Sequence, residues 1–402
     1  MRQIKIKKIT LKNFKGVKFN EIIFNDACTY LMGANGTGKT TIFDAYLWCL
    51  FGKDSTDRKQ FALKTLEEDG TATPRIEHEV EVLLLVDGAV TTLKRVYEEN
   101  WTKKRGETEE TFGGHKELFY YNGENVKLKE YNEKVNNICD SNVWSFIANP
   151  KMFLSKKEDE QRSILFGMVG EVSNEEIVAN NKELNPILSV LQTQSIEDYK
   201  KEVSTECKRV KDELNELSIR IKEVEYIIDN ILNKNADVET PYSKINSFPE
   251  YENITGALLL IEDAIRDRKG DLQDKIQDLN IELKSYEKEA SLIEGFAKAK
   301  AMLLTEKVNA LFQTVKFKLF DTQVNGEEVG CCKATINGVP YSDANNASKI
   351  NMGIDIINAI CKKEDVVAPV FIDNAESVNK IYNTECQQVR LVVTKDKKLT
   401  IE

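Results

Sequence analysis

The sequence predicts an α/β protein. A mixed sheet with an antiparallel hairpin subdomain is assembled from both ends of the chain, and an antiparallel coiled-coil hairpin is inserted between the halves. Three observations carry that prediction. The pattern G-x-x-x-x-G-K-T runs from Gly33 to Thr40, a phosphate-binding loop between an apolar strand and a helix. Apolar residues from Val203 to Ile231 recur in alternating steps of four and three, an unbroken a/d heptad pattern. An apolar strand ending at Asp373 follows more than 320 residues after Lys39. The second carboxylate that such a loop needs therefore comes from the far end of the chain.

Each residue type in the loop has a physical task. Gly33, Gly36 and Gly38 permit the turns that aim a row of N–H groups at phosphate oxygens, and Asn35, Thr37 and Thr41 complete the cradle. Lys39 reaches the β- and γ-phosphates, and the Thr40 hydroxyl is placed to ligate Mg²⁺. Cys28–Met32 reads as the preceding strand and Thr40–Phe51 as the following helix, whose N-terminus adds its dipole to the site. The expected ligands are ATP and Mg²⁺.

Composition narrows the rest. The 402 residues allow about two or three domains. A 41% hydrophobic share supports real cores, and 30% charge points to long solvated helices. A net charge of −10 excludes a uniform nucleic-acid coat but leaves room for a local basic patch. Only His78 and His115 are present, which argues against a histidine triad. The eight cysteines form no Cys-x-x-Cys pair and no disulfide framework, and no apolar run reaches 18 residues. The expectation is reduced thiols in a cytoplasm, away from any membrane.

In chain order, residues 2–24 read as two strands, with a bulge where the alternation slips at Lys7 and Lys8. Arg2, Lys5, Lys7, Lys8, Lys12, Lys15 and Lys18 precede the first acid, Glu21. That run is either a stripe for DNA phosphates or a solvated strand face. Residues 75–128 read as hairpins, turning at Asp87-Gly88 and Asn122-Gly123. Helices are expected at Glu130–Cys139 and Glu158–Val169. The first coil arm is Val203, Cys207, Val210, Leu214, Leu217, Ile221, Val224, Ile228 and Ile231. Pro241 and Pro249 break the helix. The second arm runs through Leu258, Ile261, Ile265, Leu272, Ile276, Leu279, Leu283, Tyr286, Ala290 and Ile293, with a phase slip at Leu272–Ile276. Beyond it lie a meander turning at Asn325-Gly326 and Asn337-Gly338, a helix at Ser348–Cys361, and buried strands at Val366–Asp373 and Val389–Thr394.

The segments Ile4–Gly16, Gly33–Thr40 and Ile42–Gly52 resemble the SMC and SbcC/RecN/RecF ATPases, and ABC-type halves split around a coiled coil complete the likeness. Within that group the chain is similar to small Rad-type ATPases encoded beside recombination genes in bacteriophages and prophages. The resemblance covers about 1–190 and 305–402, and the coil in type only. It implies a homodimer of heads around two ATPs, each loop facing the partner's signature motif, with DNA or a nuclease subunit engaged by the dimer. It also implies a bacterial cytoplasm. The zinc hook of long members is absent.

Carried over position by position, the resemblance puts Asp373 in the Walker B role on Mg²⁺ and Lys15 near the nucleotide, where a solvated lysine is the plain alternative. Several positions depart from the family pattern. The Q-loop glutamine is Asn149, whose amide oxygen still suits Mg²⁺ with a shorter reach. The signature region, Ser342–Lys349, lacks its glycine pair; Ser348 either caps the helix or meets a γ-phosphate in trans. The catalytic glutamate is Asn374, an amide that takes no proton from water, with Glu376 as substitute. Lys395 replaces the switch histidine. The expected domains are 1–190 and 305–402 as head halves and 191–304 as the coil, with its apex about 233–252. The expected function is an ATP-binding ATPase of DNA recombination, repair or phage DNA metabolism with slow hydrolysis. The alternative is a non-hydrolysing, nucleotide-gated scaffold that docks a nuclease or inhibitor through its coil.

Overall fold

The computed structural model describes residues 1–67, 69–102, 110–233, 249–323 and 328–402. The hairpin β1 (Arg2–Phe14) and β2 (Val17–Ile23) precedes β3 (Cys28–Gly33) and α1 (Lys39–Phe51). The meander β4 (His78–Val86), β5 (Ala89–Thr102), β6 (Thr111–Tyr121) and β7 (Glu124–Val126) follows. Then come α2 (Leu128–Ile138), α3 (Ser141–Ala148) and α4 (Glu158–Val169). The middle of the chain is helical: α5 (Asn174–Val178), α6 (Asn185–Leu191), α7 (Ile196–Ile227) and α8 (Pro249–Asn309). Sheet resumes with β8 (Val315–Thr322), β9 (Glu328–Ile336) and β10 (Val339–Pro340), followed by α9 (Asn346–Glu364). The chain closes with β11 (Val366–Val367), β12 (Val370–Ile372), β13 (Gln388–Val393) and β14 (Thr400–Ile401).

Two compact units result. Met1–Glu171, Leu304–Asp321 and Val329–Glu402 make one, and Val172–Leu303 makes most of the other. In the first, a largely antiparallel sheet has the order β11-β1-β4-β5-β6-β7, with β2 also on β1. A second sheet has the order β12-β13-β3-β14, and β10-β9-β8 forms a third. The helix α1 is buried on nearly every side, from Ile42 to Leu50, and packs against β1, β4, β5 and β3. Its sequence is apolar all round, as a helix within a core must be. This is the split α/β head that the sequence predicts.

Two local features refine the expectation. The bulge at Lys7 is present as a register shift between Ile6 and Lys8 on β4. The backbone groups beside it are satisfied by the buried Gln387: the Ile6 N–H donates to its Oε1 at 2.7 Å, and its Nε2 donates to the carbonyls of Ile6 at 2.9 Å and Asn25 at 2.7 Å. The apolar run from Val366 is not one strand but two. Its first pair joins β1, and after Ala368-Pro369 the next three residues join β13. Proline has no N–H for a ladder, so the run changes sheet there.

In the second unit the first coil seam holds. Val203 and Val210 are buried, and Cys207, Leu214, Leu217, Ile221, Val224 and Ile228 are half-buried. The arms are antiparallel: Tyr199 bonds Glu289, Arg209 pairs with Glu282, and Lys269 pairs with Glu225. The second seam differs in detail. Ile261 is 51% exposed, while Lys269 is half-buried and continues the four-three phase into Leu272 and Ile276. An ion pair at 3.0 Å with Glu225 lets a lysine take that seam place, so no phase slip is needed at Leu272–Ile276. Most of the expected apex, like the turn at Asn325-Gly326, lies outside the described residues.

Candidate functional site

The loop from Gly33 to Thr40 joins β3 to α1 and adopts the turns its glycines permit. Gly33, Gly36 and Gly38 have φ of 156°, 83° and 94°. At Gly33 the space is also filled: a Cβ would come within 2.5 Å of Thr37 Oγ1 and 3.2 Å of the Lys398 carbonyl. The Thr37 hydroxyl donates to the Ala34 carbonyl at 2.9 Å. Asn35 and Thr40 are exposed and Thr41 half-buried. Gly38 takes the cap position of α1, which has no side-chain cap and no acid in its first turn. The N–H groups and dipole of that helix start meet no carboxylate of its own.

Lys39 is the decisive group. Lys39 is 7% exposed, and among the described residues Nζ donates only to the carbonyls of Gly33 at 2.7 Å and Ala34 at 2.9 Å. No carboxylate pairs with it among the described residues. A buried ammonium held by neutral oxygens alone is costly, and an anion in the loop removes that cost.

The second sheet brings the remote groups to the same edge. In it β3, β13 and β12 run parallel, with Val393 level with Gly33 and Ile372 level with Arg390. Asp373 follows β12 directly, and its Oδ1 accepts the Asn374 N–H at 3.0 Å. The two strands are not neighbours, because β13 lies between them. That interval sets the two strands roughly 10 Å apart, two strand spacings. The α1 helix bridges it: Phe43 stacks on Phe371 at 4.5 Å, and Tyr46 lies 5.0 Å from the same ring.

The other expected residues are placed as follows. Asn374 is exposed with φ of 56°. The Glu376 carboxylate accepts the Val393 N–H at 3.1 Å, while the Thr394 N–H donates to Gly33 at 3.1 Å. Glu376 is thus tied to the strand that touches the loop. Asn149 caps α3 at its C-terminus, where its Nδ2 donates to the Ser55 carbonyl at 3.2 Å and its Oδ1 accepts the Lys151 N–H at 3.0 Å. Lys15 is not a solvated lysine: it pairs with the buried Asp44 of α1 at 2.7 Å and lies over Phe61. Ser348 is not the helix cap either. Asn345 holds that position, and its Oδ1 accepts the Ser348 N–H at 2.8 Å. Lys395 is exposed beyond β13.

Three features escaped the sequence reading. Residues 394–399 close over the loop, where the Ala34 N–H donates to the Asp396 carbonyl at 2.7 Å. Asn346 on α9 donates to Ser377 Oγ at 2.6 Å, and Ser377 donates to the Asn374 carbonyl at 2.7 Å. That chain joins the signature-like helix to the segment after Asp373. Asp44 accepts the Ser55 N–H at 2.8 Å and so links α1 to the turn that holds Asn149. Such bonds depend on residues distant in sequence, and no motif marks them.

The N-terminal basic run is largely neutralised. Lys7 pairs with Asp26, Lys8 with Glu21, Lys12 with Glu77, and Arg2 with Asp87. The solvated-face reading of that run is the one the geometry supports.

With the loop, Asp373 and the split sheets in place, comparison with known proteins gives the family. A profile of the AAA domain matches residues 8–316. The chain belongs to the AAA domain family. Its split head and inserted coil are of the SMC/SbcC/Rad50 kind, as the sequence motifs indicate. The chain is 32% identical over 78 residues to the DNA double-strand break repair Rad50 ATPase of Methanococcus maripaludis, a match covering 19% of this chain and 8% of that protein. Among solved structures it is similar to the Smc head domain with an extended coiled coil bound to the C-terminal domain of ScpA from Pyrococcus furiosus. That similarity has a TM-score of 0.43 and 15% identity over 98% of this chain and 90% of that one. It is also similar to the recombination mediator protein RecF bound to ATP, at a TM-score of 0.37 and 12% identity over 99% and 97% of the two chains. Among the described residues no helix is long and apolar enough to cross a membrane.

Proposed function

We propose that this chain is an ATP-dependent, DNA-associated ATPase of recombination or repair, whose heads dimerise around ATP and hydrolyse it slowly. The observation that carries the nucleotide reading is Lys39, a buried cation of the glycine-rich loop whose partners among the described residues are carbonyls. The triphosphate would lie over Gly33–Thr41, and Mg²⁺ would be held by Thr40 and Asp373, with Asn149 as a further oxygen. A metal held by these residues would supply positive charge to offset that of the phosphates. Ser348, near the start of α9, is the group offered to the partner's γ-phosphate. The head halves are taken as 1–190 and 305–402 and the coil as 191–304, although α5 and α6 pack in the compact unit of the coil.

Slow hydrolysis follows from two residues. Asn374 stands where a base is needed and takes no proton, and the carboxylate of Glu376 is already held by the Val393 N–H. The same pair supports the scaffold reading, in which bound nucleotide gates docking of a nuclease without turnover. Single-turnover measurement of phosphate release separates the two. Slow release that disappears in Asp373→Ala supports the ATPase, and no release from the wild type supports the scaffold. The DNA role rests on the resemblance and on the repair ATPase matched over 78 residues. Retardation of a duplex by the ATP-bound protein tests it, and no retardation at low salt removes it.

A further inference from the structure

We propose that a cationic cleft at the C-terminal end of α1 binds the phosphodiester backbone of nucleic acid. The cleft is about 590 Å³ in volume and lies among the end of α1, the loop 53–59, α2 and α3. Lys53, Lys59, Lys129 and Lys156 converge on it. Lys53 and Lys156 share the single carboxylate of Asp57 at 2.6 and 3.0 Å, and Lys129 stands 4.0 Å from Glu133. Lys59 has no acidic partner among the described residues. Four ammonium groups therefore face two carboxylates, an excess of two positive charges on a chain whose net charge is −10. Local positive potential on an acidic protein marks a place where a polyanion is drawn in.

The remaining lining suits that ligand. Asn132 and Asn142 offer side-chain amides with no partner among the described residues, donors for phosphate oxygens. Phe51 and Phe146 add apolar ring surface beside the lysines, the pairing of cation and aromatic on which bases stack. In the N-terminal run Arg2, Lys7, Lys8 and Lys12 each have an acid of their own, whereas in the cleft Lys53 and Lys156 share one. The cleft also borders the turn whose Ser55 is bonded by Asn149 and Asp44, so an occupant would sit against the scaffold of the nucleotide site. This inference rests on the DNA role proposed above and gives it a location.

The test is fluorescence anisotropy of a labelled oligonucleotide over a salt series. The proteins compared are the wild type, the double variant Lys59→Glu with Lys129→Glu, and the control Lys5→Glu with Lys8→Glu. Binding of a fluorescent ATP analogue by each variant reports that the head is folded. The cleft variant is expected to bind the oligonucleotide at least about tenfold more weakly, with a salt slope shallower by about two, while ATP binding is unchanged. The control should stay within about twofold of wild type. Equal affinity for cleft variant and wild type overturns the cleft and leaves the DNA role standing. Displacement of the oligonucleotide by polyglutamate of equal charge at equal concentration marks an acidic-peptide site and also overturns it. If the wild type itself fails to bind at low salt, the DNA role and the cleft fall together.

Discussion

Lys39 and Gln387 are both buried polar side chains, and their partners assign them opposite roles. Gln387 is satisfied on both ends of its amide by Ile6 and Asn25, so it is structural. Replacing it with leucine strands two or three backbone groups at the β1 bulge, each costing about 1–3 kcal/mol. We expect Gln387→Leu to lower the urea unfolding free energy by at least about 2 kcal/mol without altering nucleotide affinity in a folded sample. Lys39 has hydrogen bonds but no counter-charge. Lys39→Ala should weaken binding of a fluorescent ATP analogue by about 10- to 100-fold, the value of one charge-assisted contact, with little loss of stability. A fall in stability matching that of Gln387→Leu would mark Lys39 as a structural residue.

Among the elements, the turn after α1 is organised around the Asp54 carboxylate. Burial pushes Asp54 up, but the Arg58 N–H and guanidinium and the Thr56 hydroxyl and N–H hold it down at about 2, below its ordinary 3.8. A depressed acid stabilises the fold above its ordinary value, and the contribution is lost as pH falls from there through the folded value. The wild type should therefore lose urea resistance between about pH 4 and 2 more steeply than Asp54→Asn, which already lacks the carboxylate. Parallel slopes would exclude Asp54 as the cause. The segment after β12 offers a second test. If Glu376 acts only by bonding Val393, then Glu376→Gln, whose amide oxygen can still accept that N–H, should retain phosphate release within about threefold. If Glu376 is the base, release should fall by a factor of about 10²–10⁴.

At the scale of the molecule, the proposed head dimer would make this site half of a reaction centre. The loop and Asp373 share one sheet edge, but Ser348 starts a helix whose contribution is assigned to a second copy. Sizing the protein with and without ATP and Mg²⁺ should show dimer only with both, and Lys39→Ala should remain monomeric under either condition. A wild type monomeric throughout, at concentrations well above its nucleotide affinity, would refute head dimerisation.

The sequence by itself determined the form of the loop Gly33–Thr40 and of the first coil seam. Glycine spacing, the invariant demand of phosphate for N–H groups and a lysine, and the heptad run are local patterns, and each is readable along the chain. Coarse strand and helix positions followed for the same reason, from the bulge at Lys7 to α9. Tertiary structure decided the rest, because it depends on which distant groups meet. That β13 stands between the loop strand and Asp373, that Lys15 is spent on Asp44, and that Asn345 rather than Ser348 caps α9 are facts of packing. So is Lys269 in the coil seam, where Glu225 from the other arm neutralises a charge that the heptad pattern alone disfavours. The basic N-terminus shows the difference most plainly. Along the chain it carries seven positive charges before the first acid. In the fold, Asp26, Glu77 and Asp87 reach back to it from later segments, while lysines far apart in sequence gather at the end of α1.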